Sequence, residues 1–164
     1  MHQKYVTQAT TANEIILDGE ILLMDMQTHQ PLPFGTLAIH KKDQFQAATV
    51  CVFLFDCLYF EGESLVHQPY EYRRKVLMDN VQSIPDRIQF SECHKFKPTE
   101  ADKLNTLLNK VMALGLEGLV VKDSLSTYDP NARHWNKIKK DYLKGMADTC
   151  DLIGMIFNSS GDTR

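Results

Sequence analysis

Between Glu117 and Tyr142 the chain gathers the residue types that bind a phosphorylated ring compound. The stretch opens Glu117-Gly118-Leu119-Val120-Val121-Lys122-Asp123 and closes Arg133-His134-Trp135-Asn136-Lys137-Ile138-Lys139-Lys140-Asp141-Tyr142. A loop holding Tyr128-Asp129-Pro130-Asn131 joins the two apolar segments. Trp135, Lys137 and Lys139 share one parity, so a strand points all three to the same side. Fixed cations beside an aromatic face suit phosphate oxygens and a stacked ring. Upstream, Asp18, Glu20 and Asp56 add carboxylates, and Phe55 adds an aromatic. Carboxylates for a magnesium ion, lysines for phosphates and a ring for a base are the parts of a nucleotidyl-transfer site.

The elements that must position these groups follow from patterning. Glu14–Met24 reads as a strand interrupted at Asp18-Gly19-Glu20, where Gly19 suits a bulge or a close backbone approach. Asp18 and Glu20 stand either as solvated strand-end side chains or as site carboxylates. Asp25–Gln30 is a turn, with a return strand near Leu32. Val50–Phe60 carries one charge, Asp56, among eleven otherwise apolar or aromatic residues, which predicts a central strand buried on both faces. Asp56 then requires a partner, and alternation sends Phe55 to the opposite face, by default into the core. Pro69 opens a helix over Tyr72, Val76, Leu77 and Val81, with Arg73, Arg74 and Lys75 expected outward. Ile84-Pro85 ends it, and Ile88–Cys93 alternates as a half-buried strand. Thr99 with Asp102 resembles a capping box for a second helix striped by Leu104, Leu107, Leu108, Val111 and Leu114. Gly115 stops that helix, Leu116 folds back on it, and the chain enters Glu117. Glu117 and Lys122 are five apart, on opposite faces of an unbroken strand. Both serve one site only if Glu117 precedes the strand and Gly118 absorbs the turn. Met146–Phe157 reads as a last apolar strand, and residues 1–13 are polar and give no pattern.

Composition sets few limits. The 164 residues fit one domain, or a large part of one. The net charge of −3 gives no global basic signature. Nucleic-acid contact would need a local patch, and Arg133–Lys144 offers five cations against one carboxylate, though such runs are often only solvated faces. Cys51, Cys57, Cys93 and Cys150 are scattered without ligand spacing, as for reduced intracellular thiols. No 18-residue apolar span is present, and no membrane partner is expected.

Taken in order, these segments resemble the ATP-dependent DNA ligase family. Leu17-Asp-Gly-Glu-Ile-Leu22 is similar to its motif III, and Val52-Phe-Leu-Phe-Asp-Cys-Leu-Tyr-Phe60 to motif IIIa. Glu117-Gly-Leu-Val-Val-Lys122 is similar to motif IV, and Lys137-Ile-Lys-Lys-Asp-Tyr-Leu143 to motif V. Pro31–Lys42, Arg133-His134-Trp135 and Met146–Leu152 resemble the branch of eukaryotic DNA ligase III and the poxvirus ligases. The resemblance runs over residues 14–153. It implies an α+β, covalent nucleotidyltransferase (ATP-grasp-like) domain of antiparallel sheets flanked by helices. On this division residues 1–153 are a partial adenylation domain and 154–164 the start of an oligonucleotide-binding domain or a tail. By the same resemblance, Glu20, Phe55, Lys122, Trp135, Lys137 and Lys139 contact ATP or AMP. Glu20 lies toward ribose or metal, Phe55 stacks on adenine, and the three lysines meet phosphates. Glu117 joins Glu20 on the Mg²⁺ side. The implied activity is sealing of nicked double-stranded DNA in repair, replication or recombination, through lysyl-AMP and DNA-adenylate. The implied setting is a nucleus, mitochondrion or viral factory, with a repair scaffold protein as a possible partner. Two alternatives stay open: a catalytically dead nucleotide- or DNA-binding module, and a domain like the RNA-capping guanylyltransferases.

The family nucleophile is the lysine of a Lys-x-Asp-Gly motif upstream of motif III, and these 164 residues contain no such run. Only 17 residues precede Asp18, and Asn131-Ala132 stands where the family tends to have Gly-Lys. A fragment lacking the early strands and the oligonucleotide-binding domain is expected to expose apolar surface and to be marginally stable. Without the nucleophile the lysyl intermediate cannot form. The 164-residue polypeptide is therefore expected to keep its mass after incubation with ATP and Mg²⁺. Intact mass spectrometry checks this, and a species heavier by one AMP would overturn it.

Overall fold

Two long strands carry the architecture. In the computed structural model, which describes residues 2–32, 47–130 and 135–139, β1 (Ile15–Asp25) pairs antiparallel with β2 (Ala48–Phe60). β1 ends in the expected turn. The Asp25 carboxylate accepts from the backbone N–H groups of Gln27 and Thr28 at 2.7 and 2.9 Å, which holds its pKa below the ordinary carboxylate value. The return is a single bridge, Met24 to Pro31. β2 is central, as its composition predicts. Besides β1 it pairs with β3 (Glu63–Ser64) antiparallel and with β4 (Ile88–Phe90) parallel. The sheet is thus antiparallel apart from one short parallel partner. β4 stops at Phe90, short of the expected Cys93, which is exposed. Cys51 and Cys57 are buried free thiols, and burial pushes both up to about 11.

Thirteen residues of β2 face eleven of β1, so β2 carries two extra residues. The register places them at Leu58, between the Ile16–Tyr59 and Leu17–Cys57 pairs, and at Phe55, between Asp18–Asp56 and Gly19–Leu54. Each bulge frees a carbonyl for another element. Leu58 O accepts from the Leu65 N–H at 2.8 Å, and Phe55 O accepts from the Tyr70 hydroxyl at 3.3 Å. Gly19 lies against the second bulge, where a Cβ would stand 2.8 Å from Phe53 O. This is the close approach that its place in the strand predicts.

Helix α2 (Tyr70–Asn80) corrects the sequence expectation of three outward cations. Only Lys75 is outward. Arg73 is fully buried and forks onto Asp56, with Nε and Nη2 at 2.8 and 2.9 Å from the two carboxylate oxygens. Arg74 donates to Leu54 O and Ser91 O at 3.0 and 2.7 Å. Tyr72, expected inside, is exposed. The helix is turned by the need of Asp56 for a cation, a stronger constraint than the placement of one tyrosine. Leu77 on the same face joins Leu54, Cys57, Leu65, Val81, Ile88 and Ala9 in the core.

Ala9 belongs to α1 (His2–Ala9), an element that the sequence reading missed. Tyr5 and Val6 pack on the core, and Ala9 O accepts from the Gln82 N–H at 2.7 Å. α3 (Ala101–Ala113) begins one residue later than expected, after Glu100 rather than at Thr99. Its end is as expected, and it delivers the chain to Glu117. Gly115 has φ +71°, its N–H reaches Met112 O and that of Leu116 reaches Val111 O, the double bond of a Schellman cap. Leu114, expected in the apolar stripe, is exposed. Ile16, Leu114, Val120 and Leu125 are apolar and exposed. Among the described residues no helix is long and apolar enough to cross a membrane. The expected strand Met146–Phe157, Cys150, the division at residue 154 and most of the basic run lie outside the described residues.

The Asp56–Arg73 pair yields a stability prediction. Removing one partner strands a buried charge, so Asp56→Ala is expected to cost about 3–5 kcal/mol. Asp56→Leu combined with Arg73→Met should cost less than the sum of the two single changes. Urea unfolding of the four chains measures the cycle, and strict additivity would show that the pair is not a coupled unit.

Candidate functional site

The second sheet is a two-stranded ribbon of β5 (Gly118–Val121) and β6 (Asn136–Lys139). Its register pairs Gly118 with Lys139 and Val120 with Lys137. Continued one step, it sets Lys122 opposite Trp135. Directly paired residues share a face, so Lys122, Trp135, Lys137 and Lys139 stand on one side of the ribbon. Glu117 has the wrong parity for that side, and Gly118 corrects it as the spacing requires. Gly118 has φ +151°, and a Cβ there would lie 2.0 Å from Ile138 O. No L side chain fits. The turn brings the Glu117 carboxylate into an ion pair with the Lys139 ammonium.

The three lysines occupy different surroundings. Lys137 is exposed, Lys139 is half-buried beside Glu117, and Lys122 is drawn inward. The Lys122 Nζ lies 3.7 Å from the Trp135 ring centre, 4.3 Å from that of Phe55 and 4.7 Å from that of Tyr70. It is buried and, among the described residues, has no hydrogen-bond acceptor. Burial pushes its pKa down to about 8, against the opposing pull of Asp56 and Asp18, with Arg73 and Arg74 adding to the depression.

Phe55 therefore does not follow simple alternation into the core. As the extra residue of a bulge, it approaches the same cluster as its neighbour Asp56. Its ring meets Trp135 edge-to-face, with centroids 6.1 Å apart at 89°. Tyr128 meets Trp135 from another side at 5.9 Å and 73°, and donates its hydroxyl to Asp18 at 3.0 Å. Burial and that bond raise the Tyr128 pKa. The loop before Tyr128 is fixed by backbone bonds from Tyr70 to Ser126 O and from Glu71 to Ser124 O, and by Arg73 Nη1, which reaches Ser126 O at 3.1 Å.

Of the residues expected at the site, Phe55, Lys122 and Trp135 are in contact. Lys137 and Lys139 share their platform, and Glu117 joins through Lys139. Glu20 is exposed on β1 opposite Phe53, and the contacts of the cluster do not include it. Sequence reasoning missed Tyr70 and Tyr128 as walls and Arg73 as their clamp. Among the described residues no group of three or more His, Cys, Asp or Glu side chains is placed to hold a metal ion alone.

The geometry is that of three lysines and an aromatic cluster on one ribbon face, and comparison with known proteins gives the chain a lineage. The family described as "ATP dependent DNA ligase domain" matches residues 2–139. This chain belongs to that family. It is 56% identical over 152 residues to DNA ligase 3 of Dictyostelium discoideum, covering 92% of this chain and 13% of that protein. It is 48% identical over 145 residues to the DNA ligase of Fowlpox virus (strain NVSL), covering 87% and 25%. These are the branches that the motif resemblance names. Among solved structures, a mycobacterial DNA ligase D complexed with ATP and MES superposes with a TM-score of 0.56 at 26% identity. That match covers 76% of this chain and 38% of the ligase D chain. The ligase domain of M. tuberculosis LigD, at 23% identity and TM-score 0.55, supports the fold alone. The expected nucleotidyltransferase fold is borne out. The chain spans between about an eighth and about a quarter of the two curated relatives' lengths.

The buried ammonium makes stability depend on pH with a definite sign. Lys122 titrates near 8 in the folded chain and about 10.4 when unfolded, so between those values the unfolded state binds more protons. Stability relative to Lys122→Met should therefore rise as pH increases from about 8 toward 10, and be constant below about 7. Denaturant midpoints of both chains across pH 6–10 measure this, and parallel curves would contradict it. The comparison cancels the two buried thiols and Tyr70, whose raised pKa values act with the opposite sign.

Proposed function

We propose that these residues form the nucleotide-contacting wall of an ATP-dependent ligase that seals nicked double-stranded DNA. The observation that carries this reading is the ribbon face that sets Lys122, Lys137 and Lys139 in line with Trp135 and against Phe55. A base stacks at the aromatic end, and phosphates lie along the lysines. Phe55 and Trp135 supply the stacking surface, Lys137 and Lys139 neutralise phosphate oxygens, and Lys122 engages the phosphate nearest the ring. The similar ligase D solved with ATP supports ATP as the nucleotide.

Glu117 and Glu20 are assigned to the metal side. Magnesium commonly takes one or two carboxylates and completes its shell with water and substrate phosphates, so the absence of a three-ligand cluster among the described residues is compatible with it. Bound there, Mg²⁺ would neutralise charge developing on the phosphates. Glu117 already holds Lys139 and so fixes a cation beside that position. Within these 164 residues the assigned roles are binding and positioning. Nick sealing through lysyl-AMP and DNA-adenylate is assigned to the whole ligase, with nicked DNA as its partner and a nucleus, mitochondrion or viral factory as its setting. A repair scaffold protein would be a partner of that whole protein.

Titration of the chain with ATP and Mg²⁺, followed by Trp135 fluorescence, tests the wall. Lys137→Ala and Lys139→Ala are each expected to weaken binding roughly tenfold, the worth of one charge-assisted contact. Equal affinity in the parent and both variants would remove the phosphate role.

A further inference from the structure

We propose that Lys122 is the resident occupant of the aromatic seat, so that the ligand-free chain is self-occluded and a nucleotide enters by exchanging its phosphate for the rings around this lysine. The inference rests on the nucleotide reading above and concerns how that site is opened. The ammonium lies 3.7 Å from the centre of Trp135 and 4.3 Å from that of Phe55, at the distance that a stacked base would itself require. A ring cannot lie on those faces while Lys122 is there. Phe55 and Trp135 stand at 89° with centroids 6.1 Å apart, so no parallel slot between them offers a second place.

The seated lysine is held by rings and not by hydrogen bonds. Three aromatic rings attract it, and Asp56 and Asp18 add charge from β2 and β1. Both carboxylates are already committed, Asp56 to Arg73 and Asp18 to the Tyr128 hydroxyl. From α2, Arg73 and Arg74 repel it. Among the described residues the ammonium donates no hydrogen bond, and burial lowers its pKa against the pull of the two carboxylates, so the rings are what keep it seated. Four side-chain torsions let it swing out without moving the strand. A phosphate then offers the hydrogen bonds that the rings cannot, while a nucleoside lacking phosphate must expel the lysine uncompensated. Lys122 thereby selects for phosphorylated ligands beyond its direct contact.

Two measurements on the 164-residue chain test this. Trp135 is the single tryptophan, so its emission reports the cation above its ring. Emission should change with a midpoint near pH 8, and the change should be lost in Lys122→Ala and Lys122→Met. A flat titration, or one that survives in both variants, overturns the seat. Binding of adenosine and of ATP is then compared. In Lys122→Ala adenosine should bind roughly 3- to 30-fold tighter, the factor set by one cation–aromatic contact, while ATP binds more weakly. Lys122→Met, which still fills the slot, should leave adenosine weak. Unchanged adenosine affinity in Lys122→Ala would reduce Lys122 to a phosphate contact and sink the exchange. Absence of nucleotide binding in all chains would defeat the nucleotide reading and the exchange together, and the emission titration would still decide whether Lys122 sits on Trp135.

Discussion

The buried pair between Asp56 and Arg73 is the constraint on which the site is built. Both side chains are fully excluded from water, and the guanidinium spends its donors on three elements at once. Two go to Asp56 on β2, one reaches Gln68 O ahead of α2, and another reaches Ser126 O in the loop leaving β5. Its faces lie over Tyr70 and Tyr128, at 5.6 and 5.7 Å from the ring centres. A planar fork with five donors can do this where a lysine cannot. Replacing such a pair by apolar residues is often neutral in energy, so its value lies in specificity. It admits one placement of the Ser124–Tyr128 loop against the helix, and that placement sets Tyr128 on the edge of Trp135.

Around that clamp, three departures from regular backbone turn a sheet and a ribbon into one surface. The bulge at Phe55 breaks the alternation of β2, so an aromatic and a carboxylate that are neighbours in sequence both reach the same cluster. Gly19 lets β1 stay close while this happens. Gly118 does the equivalent on the ribbon, allowing Glu117 to meet Lys139 while the following strand keeps its lysines in register. Neither glycine contributes a side chain to the site, and only the bulge delivers one, the Phe55 ring. Each decides where its neighbours point.

This division explains what was legible in the sequence. Features set by local chemistry were readable: the turn at Asp25, the central position of β2, the stop at Gly115 and the pivot at Gly118. Trp135, Lys137 and Lys139 could be placed on one face because strand parity is arithmetic, whereas Lys122 joins them only through the register of β5 on β6. Features set by a distant partner were not. Arg73 and Arg74 fit the outer face of a helix on composition; Asp56, seventeen positions earlier, draws Arg73 inward, and the carbonyls of Leu54 and Ser91 draw Arg74. Phe55 went to the wrong face because a period of two does not survive an inserted residue, and nothing in a run of apolar side chains marks where the insertion falls. α1 escaped notice because its buried residues, Tyr5, Val6 and Ala9, are too few to make a stripe.

The ribbon face also shows why three lysines at one site are not equivalent. Along the roughly 13 Å from Trp135 to Lys139, set by four strand steps, the surroundings change from aromatic to open to ion-paired. Lys139 is held by Glu117 and therefore pre-positioned, with little freedom left to lose when an anion arrives. Lys137 is exposed and must be ordered by whatever it binds. Lys122 is ordered already, but against rings rather than an anion, so its contribution is a difference between two bound states. On the proposed reading, an anion would meet Lys139 already positioned, Lys137 still to be ordered, and Lys122 only after its aromatic contacts are given up. Such a gradient would orient a ligand as well as hold it. On the proposed reading, a ring would be favoured at the end that Lys122 vacates, and phosphates along the end where the cations stay.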